Sequence, residues 1–183
     1  GVCLEGLARD GVAGRGLDKL REHGIAVEHG LLEAEARALN EAYEKYIRTR
    51  MPYVTMKSAS TLDGKLAART GDSKWISSAA ARARVHVMRH RHQAIMVGVG
   101  TVLADDPQLT ARLEVPAIDP IRIVIDSSLR TPLNAAVLRG ADRTPVYIVT
   151  TEAAPEARAA EIEARGARIL RCGAGPAVDL PLA

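Results

Sequence analysis

Four short, nearly uninterrupted apolar runs constrain this chain more than any other feature: AIMVGV at 94–99, IRIVI at 121–125, VYIV at 146–149 and a fourth at 167–171. Runs of four to six residues bounded by turn residues have the length of strands, not helices. Without polar alternation they are predicted to be buried on both faces. Helix-period segments accompany them. Residues 78–92 follow Ser77 and Ser78, either of which suits an N-cap. Residues 155–165 open on Pro155 and close on Gly166. Buried strands with helices between them define an α/β chain, a mostly parallel sheet flanked by helices. A further strand is predicted at 53–59.

Before Pro52 the pattern differs. Residues 16–23 read as a helix ended by Gly24, and 25–27 as a short strand. Residues 33–47 read as one helix with Ala36, Leu39, Tyr43 and Tyr46 on its apolar stripe. A basic connector, 48–51, meets Pro52, which stops a helix from continuing. The division is therefore placed between 1–51 and 52–183, and the first part holds too little apolar surface to stand alone.

Composition excludes several classes. A chain of 183 residues, 47% hydrophobic and 26% charged, is neither disordered nor collagen-like. No run of 18 apolar residues spans a membrane, and no secretory signal opens the chain. One Trp and four Tyr give few stacking platforms for single-stranded nucleic acid. No nucleic-acid or membrane partner is expected. Cys3 and Cys172 lie far apart without a CxxC partner, as in a reduced cytoplasmic protein. The net charge of +3 is uneven: residues 73–104 hold five bases (Lys74, Arg82, Arg84, Arg89, Arg91) and no acid. Such a field favours a polyanionic ligand.

Three segments after strands carry candidate chemistry, because parallel sheets bind ligands beyond the carboxyl ends of their strands. KSASTLDGK at 57–65 places Lys57 inside a buried strand, where a charge is costly without a partner. GDSKWIS at 71–77 sets the single Trp beside hydroxyl residues before a helix. GVGTVLADDP at 98–107 reads as a glycine loop but fails the dinucleotide fingerprint, with Leu103 at the third glycine position. His86 and His90 stand four apart, yet Val87 occupies the place where a metalloprotease helix needs Glu. These histidines are read as solvated, and no metal site is expected in the chain.

Taken together, PYVTMKSASTLDGKLA, GDSKWISS, GVGTVLADDPQLTAR and PIRIVIDSSLRTP, in this order over 52–132, resemble the reductase domain of the bacterial bifunctional riboflavin biosynthesis family. Its members join a diaminohydroxyphosphoribosylaminopyrimidine deaminase to a 5-amino-6-(5-phosphoribosylamino)uracil reductase. The resemblance implies a dihydrofolate-reductase-like fold and NADPH as cofactor. It implies cofactor contacts at Ala59, Trp75, Thr101, Asp105 and Ser127, and substrate contacts at Ser73, Arg89, Leu109 and Arg112. Lys57 and Asp63 are the candidate polarising groups near the reacting carbon. The implied substrate is a phosphorylated pyrimidine whose ribosyl side chain is reduced to ribityl.

Residues 1–51 resemble the end of the deaminase domain. Its zinc signature, His-x-Glu with Pro-Cys-x-x-Cys, is absent here, so zinc is expected only in a part this chain lacks. The family also continues past residue 183, and the chain starts without Met, so a piece of a longer protein is expected, homo-oligomeric when whole. Alternatives are that this piece is non-catalytic, or that a reductase of the same fold acts on another pteridine or pyrimidine.

Overall fold

The computed structural model describes residues 15–180. Cys3 lies outside them. The chain divides into two compact units, Gly1–Ala59 and Ser60–Ala183.

In the first unit, α1 (Arg15–Glu22) ends on Gly24, whose φ of 73° is the left-handed conformation open to glycine. Two helices, α2 (Glu33–Leu39) and α3 (Glu41–Thr49), replace the single helix expected at 33–47. The break is at Asn40. Its side-chain amide donates to the Ala36 carbonyl at 2.8 Å and its backbone N–H to Arg37, which is how asparagine competes with a continuing helix. Arg37 bridges the break by pairing with both Glu33 and Glu44. The strands expected at 25–27 and 53–59 are not formed. Neither segment is a member of the sheet, and the Ile25 N–H instead closes the end of α1 on the Leu20 carbonyl at 3.0 Å.

In the second unit, α4 (Ala79–Arg91) begins at Ser78, whose hydroxyl accepts the Ala81 N–H at 3.2 Å. Then follow β1 (Ala94–Gly98), α5 (Val99–Asp105), β2 (Ile121–Ile125), a 3₁₀ turn (Ala136–Leu138), β3 (Val146–Thr150), α6 (Glu156–Glu163) and β4 (Arg168–Arg171). The strands form one parallel sheet in chain order, with Ala94 opposite Ile121, Arg122 opposite Val146 and Tyr147 opposite Arg168. The mostly parallel α/β class expected from the sequence is the class found. Two local readings change. The glycine run at 98–107 opens a helix, with Gly98 as its N-cap, instead of staying a loop. The edge strands β1 and β4 are not buried on both faces, and Met96 is 55% exposed.

The core lies on one face. Val124, Val146 and Ile148 of the sheet pack with Val99 and Val102 of α5, Val137 of the 3₁₀ turn and Ile162 of α6. On that same face stands Arg122, only 2% exposed. A buried cation requires acceptors, and Arg122 has four. It donates to the carbonyls of Val137, Arg139 and Thr144 at 2.7–2.8 Å, and to Gly140 at 3.3 Å. This arginine ties the long β2–β3 connection to the sheet. Exchanging it for methionine (Arg122→Met) keeps apolar bulk but strands the carbonyls. The expected loss, read from the urea midpoint, is about 1.5–3 kcal/mol; an unchanged midpoint contradicts the clamp.

Candidate functional site

The helix α4 carries the densest group of functional side chains. Arg82, His86, Arg89 and His90 recur at four, seven and eight residues from the first, which places them on one helix face. Arg82 lies over the Trp75 ring, 4.2 Å from its centroid, and donates to the Ser77 carbonyl. Trp75 itself is 71% exposed, so its face is held by a cation and open to water. Ser73 is half-buried in the preceding turn, its carbonyl accepting the Ile76 N–H. Arg89 lies two helical turns beyond Arg82, about 10 Å along the axis.

Arg89 is half-buried. Its Nη1 donates to the Thr110 carbonyl at 3.0 Å, and its Nε is buried with no partner. Burial first and the charge of Arg112 second push its pKa below the usual arginine value; guanidinium nevertheless stays protonated at neutral pH. Arg112 is exposed and donates to Gln108 Oε1 at 3.2 Å. Among the described residues no carboxylate pairs with either guanidinium. Two guanidinium groups without a carboxylate partner, one with an unused buried N–H, have the chemistry that suits an anion. His86 belongs to the same cluster. Burial, then Arg89 and Arg112, hold it below the ordinary histidine value, with a backbone hydrogen bond at Thr110 opposing.

A second group stands at the carboxyl edge of the sheet. Gly98 pairs with Ile125, so α5 and the 126–131 loop leave neighbouring strands side by side. Thr101 and Asp105 are exposed on α5, four residues apart and hence on one face. Ser127 is half-buried: its hydroxyl accepts the Val178 N–H at 3.1 Å and its carbonyl accepts the Thr150 and Thr151 hydroxyls. Next to it, fully buried Asp126 accepts both the N–H and the hydroxyl of Thr131 at 2.7 Å. Its other oxygen is unpartnered. Leu109 is buried at φ 59°, where the chain turns from α5 towards Arg112.

Three expected residues remain to be placed. Lys57 and Ala59 belong to the first unit. Lys57 is exposed in a segment without regular structure instead of lying in a buried strand, so the burial cost expected for it does not arise. Asp63 sits in an exposed turn and accepts the Thr61 hydroxyl. The histidines also need correcting. His86 and His90 are half-buried, and each ring accepts a backbone N–H: Arg112 to His86 Nδ1 at 3.1 Å, Ile118 to His90 Nδ1 at 3.0 Å. Sequence reading missed them, together with Arg82 and Asp126. The helical spacing of 82, 86, 89 and 90 was the available signal. Among the described residues no group of His, Cys, Asp or Glu is arranged to hold a metal ion.

Comparison with known proteins follows the same lines. Residues 52–183 match the model of the RibD C-terminal domain. The chain belongs to this family. It is 51% identical over 139 residues to the riboflavin biosynthesis protein RibD of Actinobacillus pleuropneumoniae, covering 76% of this chain and 37% of that protein. It is 42% identical over 159 residues to RibD of Aquifex aeolicus, covering 87% and 44%. The chain thus spans about two fifths of these curated relatives. Among solved structures, Acinetobacter baumannii RibD superposes with a TM-score of 0.75 at 36% identity, covering 87% of this chain and 44% of that one. A deaminase/reductase of Thermotoga maritima gives 0.72 at 34%, covering 88% and 50%. The dihydrofolate-reductase-like architecture of RibD is therefore the fold of this chain.

One consequence of the charge cluster is measurable without a ligand. Arg112→Met keeps the backbone N–H that His86 accepts and removes the nearby charge. The His86 pKa is expected to rise towards its ordinary 6.5, followed by NMR titration of the ring; a fall, or no movement, contradicts the cluster.

Proposed function

We propose that this chain supplies the reductase part of a RibD-type enzyme of riboflavin biosynthesis, reducing 5-amino-6-(5-phosphoribosylamino)uracil at its ribosyl carbon. The observation that carries the reading is the Arg89–Arg112 pair, two guanidinium groups without a carboxylate and one unused buried N–H. It fits the phosphate of a ribose 5-phosphate substrate, gripped in part bidentately. Ser73 and Leu109 complete the substrate side. No described helix is long and apolar enough to cross a membrane. In this reading the enzyme works in the cytoplasm.

The cofactor side fits NADPH by its chemistry. The paired carboxyl ends of β1 and β2 open beside exposed Thr101 and Asp105, with half-buried Ser127 next to them. Parallel sheets hold nucleotides at this edge. Trp75, with its exposed ring, and Ala59 are the other contacts. When bound, NADPH supplies the hydride for ribose C1′. The protein's own task is to hold the ring-opened substrate by its phosphate so that C1′ faces the donor, and to admit one proton to complete the reduction. Lys57 and Asp63 polarise the reacting group in this reading. The whole enzyme is read as a homo-oligomer that also deaminates the precursor, with zinc held by residues outside this chain.

Three measurements on the full-length protein test this. Arg89→Ala is expected to raise the substrate KM roughly 10- to 150-fold, the equivalent of about 1.5–3 kcal/mol for a lost charge-assisted contact; an unchanged KM overturns the assignment. Lys57→Ala and Asp63→Asn should each slow turnover, and effects below about threefold, near 0.7 kcal/mol, remove both residues from the chemistry. NADPH should quench the Trp75 emission. Trp75→Tyr should remove that signal and weaken binding, and undiminished affinity would take Trp75 out of the cofactor site.

A further inference from the structure

Between α5 and β2 the chain makes a loop, 111–118, that belongs to no helix or strand. Most of it is exposed, including Val115 at 63% and Ile118 at 72%. Apolar packing therefore does little to hold it. Three side-chain acceptors hold it instead. The Asp119 carboxylate accepts the Ala111 N–H at 2.7 Å and closes the loop's base. His86 Nδ1 accepts the Arg112 N–H, and His90 Nδ1, one turn further along α4, accepts the Ile118 N–H. The loop is pinned near both ends to the same helix face that carries Arg89.

We propose that His86 and His90 are positioning residues, whose ring nitrogens pin the 111–118 loop to α4 and hold Arg112 beside Arg89 for the substrate's phosphate. The inference rests on the substrate reading above, and it adds residues that the reading does not use. Its chemistry is specific. A ring nitrogen that accepts from a backbone N–H carries no proton, so Nδ1 is the bare nitrogen in both rings. Protonating His86 Nδ1 removes the lone pair and adds a cation beside two guanidinium groups. Arg89 on α4 and Arg112 on the loop are the charged groups that face His86, and both favour the neutral ring. Sign follows directly. With the His86 pKa depressed on folding, stability is full above about pH 6.5 and falls as the pH drops from there towards the folded value, near which the native contact itself is lost. Loop and site loosen in acid.

The test uses the full-length enzyme. His86→Ala is expected to raise the substrate KM at least fivefold with little change in kcat. His86→Asn should restore it, because its amide oxygen can accept from the Arg112 N–H near the position of Nδ1. Since His86 acts through Arg112, the His86→Ala/Arg112→Ala double variant should be no worse than Arg112→Ala alone. Wild-type KM should climb below pH 6.5 more steeply than that of His86→Asn, a comparison that cancels titration of the substrate's own phosphate. Amide exchange at Arg112 and Ile118 should accelerate in His86→Ala and His90→Ala respectively. Unchanged exchange, or fully additive KM effects, overturns the proposal. If Arg112→Ala leaves KM untouched while exchange behaves as expected, the substrate reading fails and the pinned loop stands without that role.

Discussion

All four strands point the same way, so each connection must carry the chain from one edge of the sheet back to the other. This constraint organises everything else in the second unit. It delivers α5 and the 126–131 loop side by side at the carboxyl edge. It also forces the residues after α5 to return to the start of β2. That return path runs along α4, the helix that precedes β1, which is why Arg112 meets His86 and Ile118 meets His90. The candidate site is thus a product of crossover topology, and its side chains come from segments as far apart as 73 and 127.

Arginine serves two purposes here, separated by what each guanidinium touches. Arg122 carries four carbonyls of the β2–β3 connection. Arg158 donates to the carbonyls of Leu129 and Thr131, and Arg171 to those of Thr151 and Ala154. These three replace the secondary-structure partners that long connections lack, and their charge is spent on the fold. Arg89 and Arg122 both leave a buried Nε unpartnered, but Arg89 gives only one N–H to a carbonyl, that of Thr110, while Arg112 finds only a neutral amide. The positive excess of the sequence is therefore a poor guide when taken as a sum. What separates these arginines is how many backbone carbonyls each one holds, four for Arg122 and one for Arg89.

Much of the fold was legible from residue pattern. The four apolar runs became the four strands, Ser78 capped α4, and Gly24 and Gly166 ended helices at positive φ. Local chemistry decides such features. The errors have physical causes. Residues 53–59 carry a strand-like pattern but do not join the sheet. Asn40 broke a helix whose apolar stripe ran straight through it, because its amide preferred the Ala36 carbonyl. Gly98 and Gly100, read as loop glycines, sit at the start of α5. The site was legible in part. Arg89 and Arg112 were named through the family resemblance, whereas the histidines near them were read as solvent-facing, since helical spacing reveals a shared face but not what packs on it.

By itself the sequence determined the α/β class, the positions of the four strands that form, most helix ends, and a basic segment free of acids. These depend on periodicity, cap chemistry and composition, all of which act over a few residues. Tertiary structure alone decided which arginines are consumed by backbone carbonyls, which histidine nitrogens accept, and which expected residues share a surface. Those outcomes depend on contacts between residues 20 to 30 positions apart, such as Arg89 with Thr110 and His90 with Ile118. No local rule ranks the partners that a folded chain brings within 3 Å of one another.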